Sequence, residues 1–256
     1  MMNKMTIEVH PHRRAMGMAA AKEVATEIRA RLGERQDQNV RIVFASAPSQ
    51  LEMLQALAAE PDIEWERVTA FHLDEYIGSN ASVEGSFGKW LKDSFFDRVQ
   101  IGQVHLINPD RDANLAAEEY SRVLQAAPID VACLGIGDNG HIAFNEPHRT
   151  DFDDLRRVRI VSLDERSRLQ QVEDGLFDEV DDVPDQAITL TIPALLEARR
   201  LVCVVPGTRK RDAVRRALSD PIGPDCPATA LRLHPACTLH LDAAAAPTDI
   251  GGGAIA

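Results

Sequence analysis

The chain has 256 residues, 45% of them apolar and 27% charged, the mix of a folded globular protein rather than a disordered one. That length suits one large α/β domain with a substantial core. The formal net charge of −12 repels phosphate backbones and anionic membranes, and basic groups are as short as Arg209-Lys210-Arg211 and Arg156-Arg157. A nucleic-acid or membrane partner is therefore not expected, whereas one small phosphate needs only one or two cations.

The opening stretch, MMNKMTIEVHPHRRAM, holds no secretory apolar segment, and no apolar run reaches the roughly 18 residues of a membrane span. Met5 to Val9 reads as a strand and the Ala-rich His12 to Arg31 as a helix. Val40 to Phe44 is a buried strand, Leu51 to Ala59 a helix, Val68 to Leu73 a strand and Ser86 to Phe96 helical. Val104 to Ile107 is a short strand, Asn114 to Ala126 a helix, and Ile129 to Leu134 an apolar run ending in glycines. Arg159 to Leu163, Ala187 to Thr191 and Leu201 to Val205 repeat the strand pattern; Thr208 to Leu218 is a helix and Thr238 to Leu241 a last strand. Strands separated by helices predict an α/β fold whose mostly parallel central sheet is covered on both faces. With no internal repeat and no dividing linker, residues 1–242 form one expected domain, and the Ala- and Gly-rich 243–256 a flexible tail. The cysteines, Cys133, Cys203, Cys226 and Cys237, make no Cys-x-x-Cys pair. Reduced thiols in a cytoplasmic protein are the expectation.

In an open α/β sheet ligands bind beyond the carboxyl ends of the strands, so the residues following each strand carry the functional signal. Ala45-Ser46-Ala47-Pro48-Ser49-Gln50 joins a strand to a helix. That is either an anion site, with free N–H groups and the Ser46 and Ser49 hydroxyls as donors, or a plain helix cap. Pro206-Gly207-Thr208-Arg209-Lys210 repeats the arrangement with a lysine, which opposes the helix dipole unless an anion sits there. Asp74-Glu75 at the end of a buried strand is either a proton-transfer group or a capping pair. In Gly135-Ile136-Gly137-Asp138-Asn139-Gly140-His141 the glycines permit positive φ and close approach of a ligand; His141 is either a proton-exchange group, its tautomer fixed where Glu146 accepts from one ring nitrogen, or a satisfied core histidine. Gly135-x-Gly137-x-x-Gly140 matches the dinucleotide fingerprint formally, but Asn145 and Pro147 suit a loop where that fingerprint needs a helix. His141, His148, Asp138 and Glu146 show no recognised ligand spacing, so neither metal nor cofactor is expected.

Phe71-His72-Leu73-Asp74-Glu75-Tyr76-Ile77-Gly78, the segment Gly135 to Pro147 and Leu233-His234-Pro235 together resemble the glucosamine-6-phosphate deaminase/isomerase family and, more distantly, the 6-phosphogluconolactonases. Asp164-Glu165-Arg166, Val183-Pro184 and Gly207-Thr208-Arg209-Lys210 add to a likeness running from about Val40 to Asp242. The resemblance implies a Rossmann-like three-layer fold with a single sheet. It also implies conversion of an amino-sugar 6-phosphate to a ketose 6-phosphate and ammonia, without metal or cofactor. On that resemblance Asp74 is the base moving a proton between C2 and C1, His141 opens the sugar ring, and Glu146 supports it, with Asn139 or Asp138 assisting. Ser46, Ala47, Ser49, Gln50, Gly140 and Lys210 fall on substrate- and phosphate-binding positions. A lactonase and a non-catalytic sugar-phosphate sensor are the alternatives on the same scaffold, and self-association of the chain is compatible with either.

The chain departs from the best-known members of that family in several places. They read Asn-Asp-Gly-His where this chain reads Asp138-Asn139-Gly140-His141. An amide orients imidazole but stabilises imidazolium less than a carboxylate does. Pro48, in place of a glycine, removes a backbone donor from the phosphate loop. A phosphate-binding arginine is replaced near Gln170-Gln171, with Arg166 and Arg168 as the candidates to compensate. The segment His148 to Arg159 lacks the serine-rich stretch tied to allosteric control, so that regulation is not expected.

Overall fold

Residues 5–35, 38–78, 85–109 and 112–248 are described by the computed structural model of the chain. Its architecture follows from strands that are apolar on both faces. In β2 (Val40–Phe44), Val43 packs into one core, and Val40, Ile42 and Phe44 into another. The same alternation holds for β3 (Val68–His72), β6 (Val131–Leu134) and β9 (Arg200–Val205): Phe71, Ala132, Leu134, Leu201 and Cys203 face one side, and Ala70, Cys133, Val202 and Val204 the other. A strand buried on both faces must sit inside a sheet with helices above and below. With β1 (Thr6–His10), β5 (Gln103–His105) and β10 (Cys237–Asp242), these strands form a seven-stranded sheet in the order β1-β10-β9-β6-β2-β3-β5. Every neighbouring pair is parallel.

Helices α1 (Arg13–Glu34), α2 (Leu51–Ala58) and α3 (Phe87–Ser94) cover one face of this sheet. Helices α4 (Ala113–Gln125), α6 (Ile192–Leu196) and α7 (Arg211–Ser219) cover the other. The expected Rossmann-like three-layer α/β arrangement is therefore present. Gly17 sets the spacing of α1 and α2: a Cβ there would lie 2.6 Å from the Glu52 Cβ and 2.8 Å from the Met53 nitrogen.

The expectation of a single sheet needs correcting. β4 (Asp74–Tyr76), β7 (Val158–Ser162) and β8 (Gln186–Leu190) make a separate antiparallel sheet in the order β4-β8-β7. The change of sheet happens at Leu73. Its N–H donates to Phe44 O of the large sheet (3.2 Å), and its carbonyl accepts from Leu190 N beside the small one (2.9 Å). Tyr76, Phe87, Phe144, Leu163, Val183 and Ala187 fill a third core beneath the small sheet.

Two local readings also change. A helix unmarked in the apolar pattern, α5 (Glu165–Glu173), is capped by the Asp164 side chain and buries Ser167, Gln170 and Gln171. The first residues of the expected tail are packed. Ala243 N donates to His10 O (2.8 Å) and Ala245 is fully buried, so the chain is packed there. Residues 249–256 lie outside the described residues.

Candidate active site

The strand order reverses between β2 and β6: the chain runs outward through β3 and β5, then returns to the other side of β2. Loops leaving these two strands diverge and open a crevice at their carboxyl ends. A cleft there is lined by Ser46, Ala47, Ser49 and Gln50 after β2, Asp74 after β3, Gly135, Gly137 and His141 after β6, and Lys210 after β9. Gln170, Gln171 and Asp174 close it from the α5 side. A larger cavity of about 450 Å³ lies among Val43, Leu124, Pro128, Leu190 and Leu195. Its lining is mainly apolar, and the convergent ionisable groups belong to the smaller cleft.

Asp74 is buried at the Leu73 junction, and its carboxyl is pushed well above the usual carboxylate range by desolvation first and by Glu75 second. Glu75, its neighbour, has a different task. Its carboxylate accepts from the backbone N–H groups of Tyr76 (3.0 Å), Phe87 (3.1 Å) and Gly88 (2.8 Å), and so caps the start of α3. The two acids thus separate into one that faces the cleft and one that anchors a helix.

His141 is held by the loop on which it sits. Gly137 N donates to His141 O (2.9 Å), and a Cβ on Gly137 would stand 2.1 Å from the His141 ring. That glycine therefore makes room for the imidazole. Asn139 Oδ1 accepts from both the His141 backbone N–H (3.0 Å) and ring Nδ1 (2.8 Å). Because an amide oxygen can only accept, this contact puts the proton on Nδ1 and leaves a lone pair on Nε2. Ser167 Oγ lies 3.0 Å from Nδ1, while Glu146 Oε2 is 3.7 Å away. Burial first, and Lys210 second, lower the imidazole to about 4 against the opposing pull of Asp164 and Asp138, so the ring is neutral.

Glu146 joins this network through Asn139. Asn139 Nδ2 donates to Glu146 Oε2 (2.9 Å) and to Asp164 Oδ2 (3.0 Å). Burial is the largest cause pushing the Glu146 carboxyl up to about 7; Asp164 adds to the rise, while Ser167 and Asn139 oppose it. Asp164, named in the sequence only as part of a motif, and Ser167, not named there, are thus brought into the network around His141.

Asp138 turns away from His141. Its carboxylate pairs with Lys210 Nζ (2.6 Å) and Arg166 (2.7 Å), and its backbone N–H donates to Gln170 Oε1 (2.8 Å). Burial alone would raise this carboxyl, but Lys210, Arg209 and Arg166 hold it below the ordinary range. Arg166 also pairs with Glu173, and Arg168 donates to the carbonyls of Val180 and Val183; neither lines the cleft. Lys210 is thus the cation that lines it, buried and already paired. Gly140 is not among the lining residues: its φ of +92° closes the turn, and a Cβ there would meet Cys226 Sγ at 2.7 Å. In the β2 loop, Ser46 Oγ is buried with no hydrogen-bond partner among the described residues, and Gln50 Nε2 donates to Ser49 Oγ (3.2 Å) and Val204 O (3.3 Å). Pro48 opens a 3₁₀ turn, where its missing N–H disturbs no helix bond.

Known proteins resemble this chain in both sequence and fold. The chain is 38% identical over 185 residues to a glucosamine-6-phosphate deaminase of Exiguobacterium sp. (strain ATCC BAA-1283 / AT1b), covering 72% of this chain and 71% of that one. It is 36% identical over 204 residues to the glucosamine-6-phosphate deaminase of Staphylococcus aureus (strain MRSA252), with coverage of 78% and 79%. Among solved structures, a monomeric glucosamine-6-phosphate deaminase superposes with a TM-score of 0.86 at 27% identity, over 94% of this chain and 98% of that one. The 6-phosphogluconolactonase of Thermotoga maritima shares the fold, with a TM-score of 0.75 at 20% identity over 93% and 100% of the two chains. The family model described as glucosamine-6-phosphate isomerases/6-phosphogluconolactonase matches residues 11–239, and the chain belongs to that family.

Proposed function

We propose that the protein is an amino-sugar phosphate deaminase/isomerase that converts glucosamine 6-phosphate, or a close hexosamine 6-phosphate, to the ketose 6-phosphate and ammonia. The observation carrying this reading is the cleft shared by the buried Asp74 carboxyl, the neutral His141 and the cationic Lys210.

Each step has a group suited to it. Ring opening moves a proton from the anomeric hydroxyl to the ring oxygen. A neutral imidazole with a free Nε2 lone pair accepts the first proton and delivers it to the second site, so it needs no proton of its own at the start. Asp74, ionised, takes the C2 proton of the open-chain aldehyde and returns it to C1. The C2 imine that results adds water and releases ammonia. A carboxyl whose proton affinity is raised by burial is a stronger base for that carbon acid than an exposed one. Lys210 and the β2 loop hold the phosphate, whose binding orients the reacting carbons.

An ammonia-release assay across glucosamine, galactosamine and mannosamine 6-phosphates tests the reading. Asp74→Asn should abolish turnover while sugar-phosphate binding persists, and normal turnover in that variant would sink it. Hydrolysis of 6-phosphogluconolactone without ammonia release from any amino sugar would favour the lactonase instead. A small soluble substrate fits the net charge of −12, and no described helix is long and apolar enough to cross a membrane. A cytoplasmic location goes with this reading, supported by the free buried thiols of Cys133, Cys203, Cys226 and Cys237.

A further inference from the structure

At the sheet edge formed by the first and last strands, three metal-ligating side chains converge. Glu8 and His10 are two residues apart on β1 and so share a face, and the parallel register sets Glu8 beside His240 on β10. His10 Nε2 lies 3.2 Å from His240 Nδ1, Glu8 Oε2 lies 3.5 Å from His240 Nδ1, and Glu8 Oε2 lies 3.7 Å from His10 Nε2. Ligand atoms held tetrahedrally at zinc distances of about 2.0–2.1 Å are separated by roughly 3.3–3.4 Å. The triangle of Glu8, His10 and His240 is therefore close to one face of a zinc tetrahedron before any ion is added.

The surroundings fit the same purpose. His240 Nε2 contacts Glu23 Oε2 of α1 at 2.8 Å, which fixes a proton there and points the Nδ1 lone pair at the triangle. Glu23 is fixed in turn by Arg200 (2.7 Å) and by Thr238 Oγ1 (2.9 Å). A carboxylate behind a ligating histidine is the usual support of a zinc site. The histidine side chains are 15% and 1% exposed and Glu8 is 45% exposed, so the fourth position opens to water. None of these residues lines the cleft of Asp74 and His141.

We propose that Glu8, His10 and His240 form a binding site for a divalent transition ion, zinc above all, which clips the edge strand β1 to β10. Two imidazoles and one carboxylate select borderline ions over magnesium or calcium, which prefer all-oxygen sites. Binding couples to folding because the ligands come from opposite ends of the chain and meet only in the native sheet.

The test uses full-length protein stripped with a chelator and titrated with zinc chloride by calorimetry, with melting followed in parallel. Wild type should bind one zinc per chain and melt at a higher temperature with it. Cobalt(II) in its place should give the intense visible bands of a four-coordinate site. His10→Ala, which spares the buried histidine, should abolish both effects and leave ammonia release unchanged. Glu23→Gln should weaken zinc about 10–100-fold, and His141→Ala should leave zinc binding intact. Absence of saturable zinc binding in wild type would overturn the proposal. So would binding that survives both His10→Ala and Glu8→Ala, or that disappears in His141→Ala.

Discussion

Asn139 ties together three groups that would otherwise compete. Its carbonyl orients His141 and its amide nitrogen donates to Glu146 and Asp164. A carboxylate at this position would hold the imidazole more strongly but would be a third acid beside two others. Burial keeps His141 neutral, and the amide fixes its tautomer without adding a charge beside it. Asn139→Asp should therefore raise His141 from about 4 toward neutrality, since a negative charge at Nδ1 favours imidazolium. An NMR titration of the His141 ring reads this directly, and a pKa left where it was would mean that Asn139 does not govern the proton. Asp138, one position earlier, spends its charge on Lys210 and Arg166. The exchange of order between these two residues thus moves a negative charge from the imidazole to the Lys210 side of the cleft.

At the level of elements, the large sheet was legible because its strands are short apolar runs, and a period of two needs no tertiary knowledge. Strands β7 and β8 of the small sheet were legible in the same way, but their pairing with β4 into a second sheet was not. β4 is only Asp74–Tyr76, and its partners come from more than 80 residues away, so nothing local marks the change of sheet at Leu73. Helix α5 escaped for a related reason: its buried residues, Ser167, Gln170 and Gln171, are polar. A helix that packs a polar face inward carries no apolar stripe to read, and here that face borders the cleft. Asp74, His141 and Lys210 were legible because each follows a strand. Asp164 and Ser167 reach His141 only through the fold. The contact of α1 with α2 gives an element-scale prediction. Gly17→Ala improves helix propensity but drives a Cβ into Glu52 and Met53 backbone atoms, and overpacking of that kind costs about 1–3 kcal/mol. Denaturant titration should show the loss, and an unchanged or higher stability would mean that the two helices separate freely.

Over the whole molecule, the raised acids in and behind the cleft set a pH dependence of stability. Glu146 has its ordinary value of 4.5 in the unfolded chain and about 7 in the folded one, so the folded state holds its proton more tightly. That contribution is complete below pH 4.5 and is lost as pH rises through about 7. Glu146→Gln keeps the group neutral throughout. Its melting temperature relative to wild type should rise between pH 4.5 and pH 7, and a constant difference across that window would show that the carboxyl is not perturbed in the folded protein. The junction at Leu73 has a further meaning for how the protein fails. The seven-stranded sheet has helices on both faces, while β4 is anchored by three residues of antiparallel pairing to β8. A domain built this way can come apart in stages, the smaller unit opening at a lower free energy than the whole. Asp74 sits in that unit, so mild denaturant should silence the enzyme before its helices melt. Activity and far-ultraviolet circular dichroism, followed on one urea gradient, should give separate midpoints, with activity first; coincident midpoints would show that the two sheets stand or fall together.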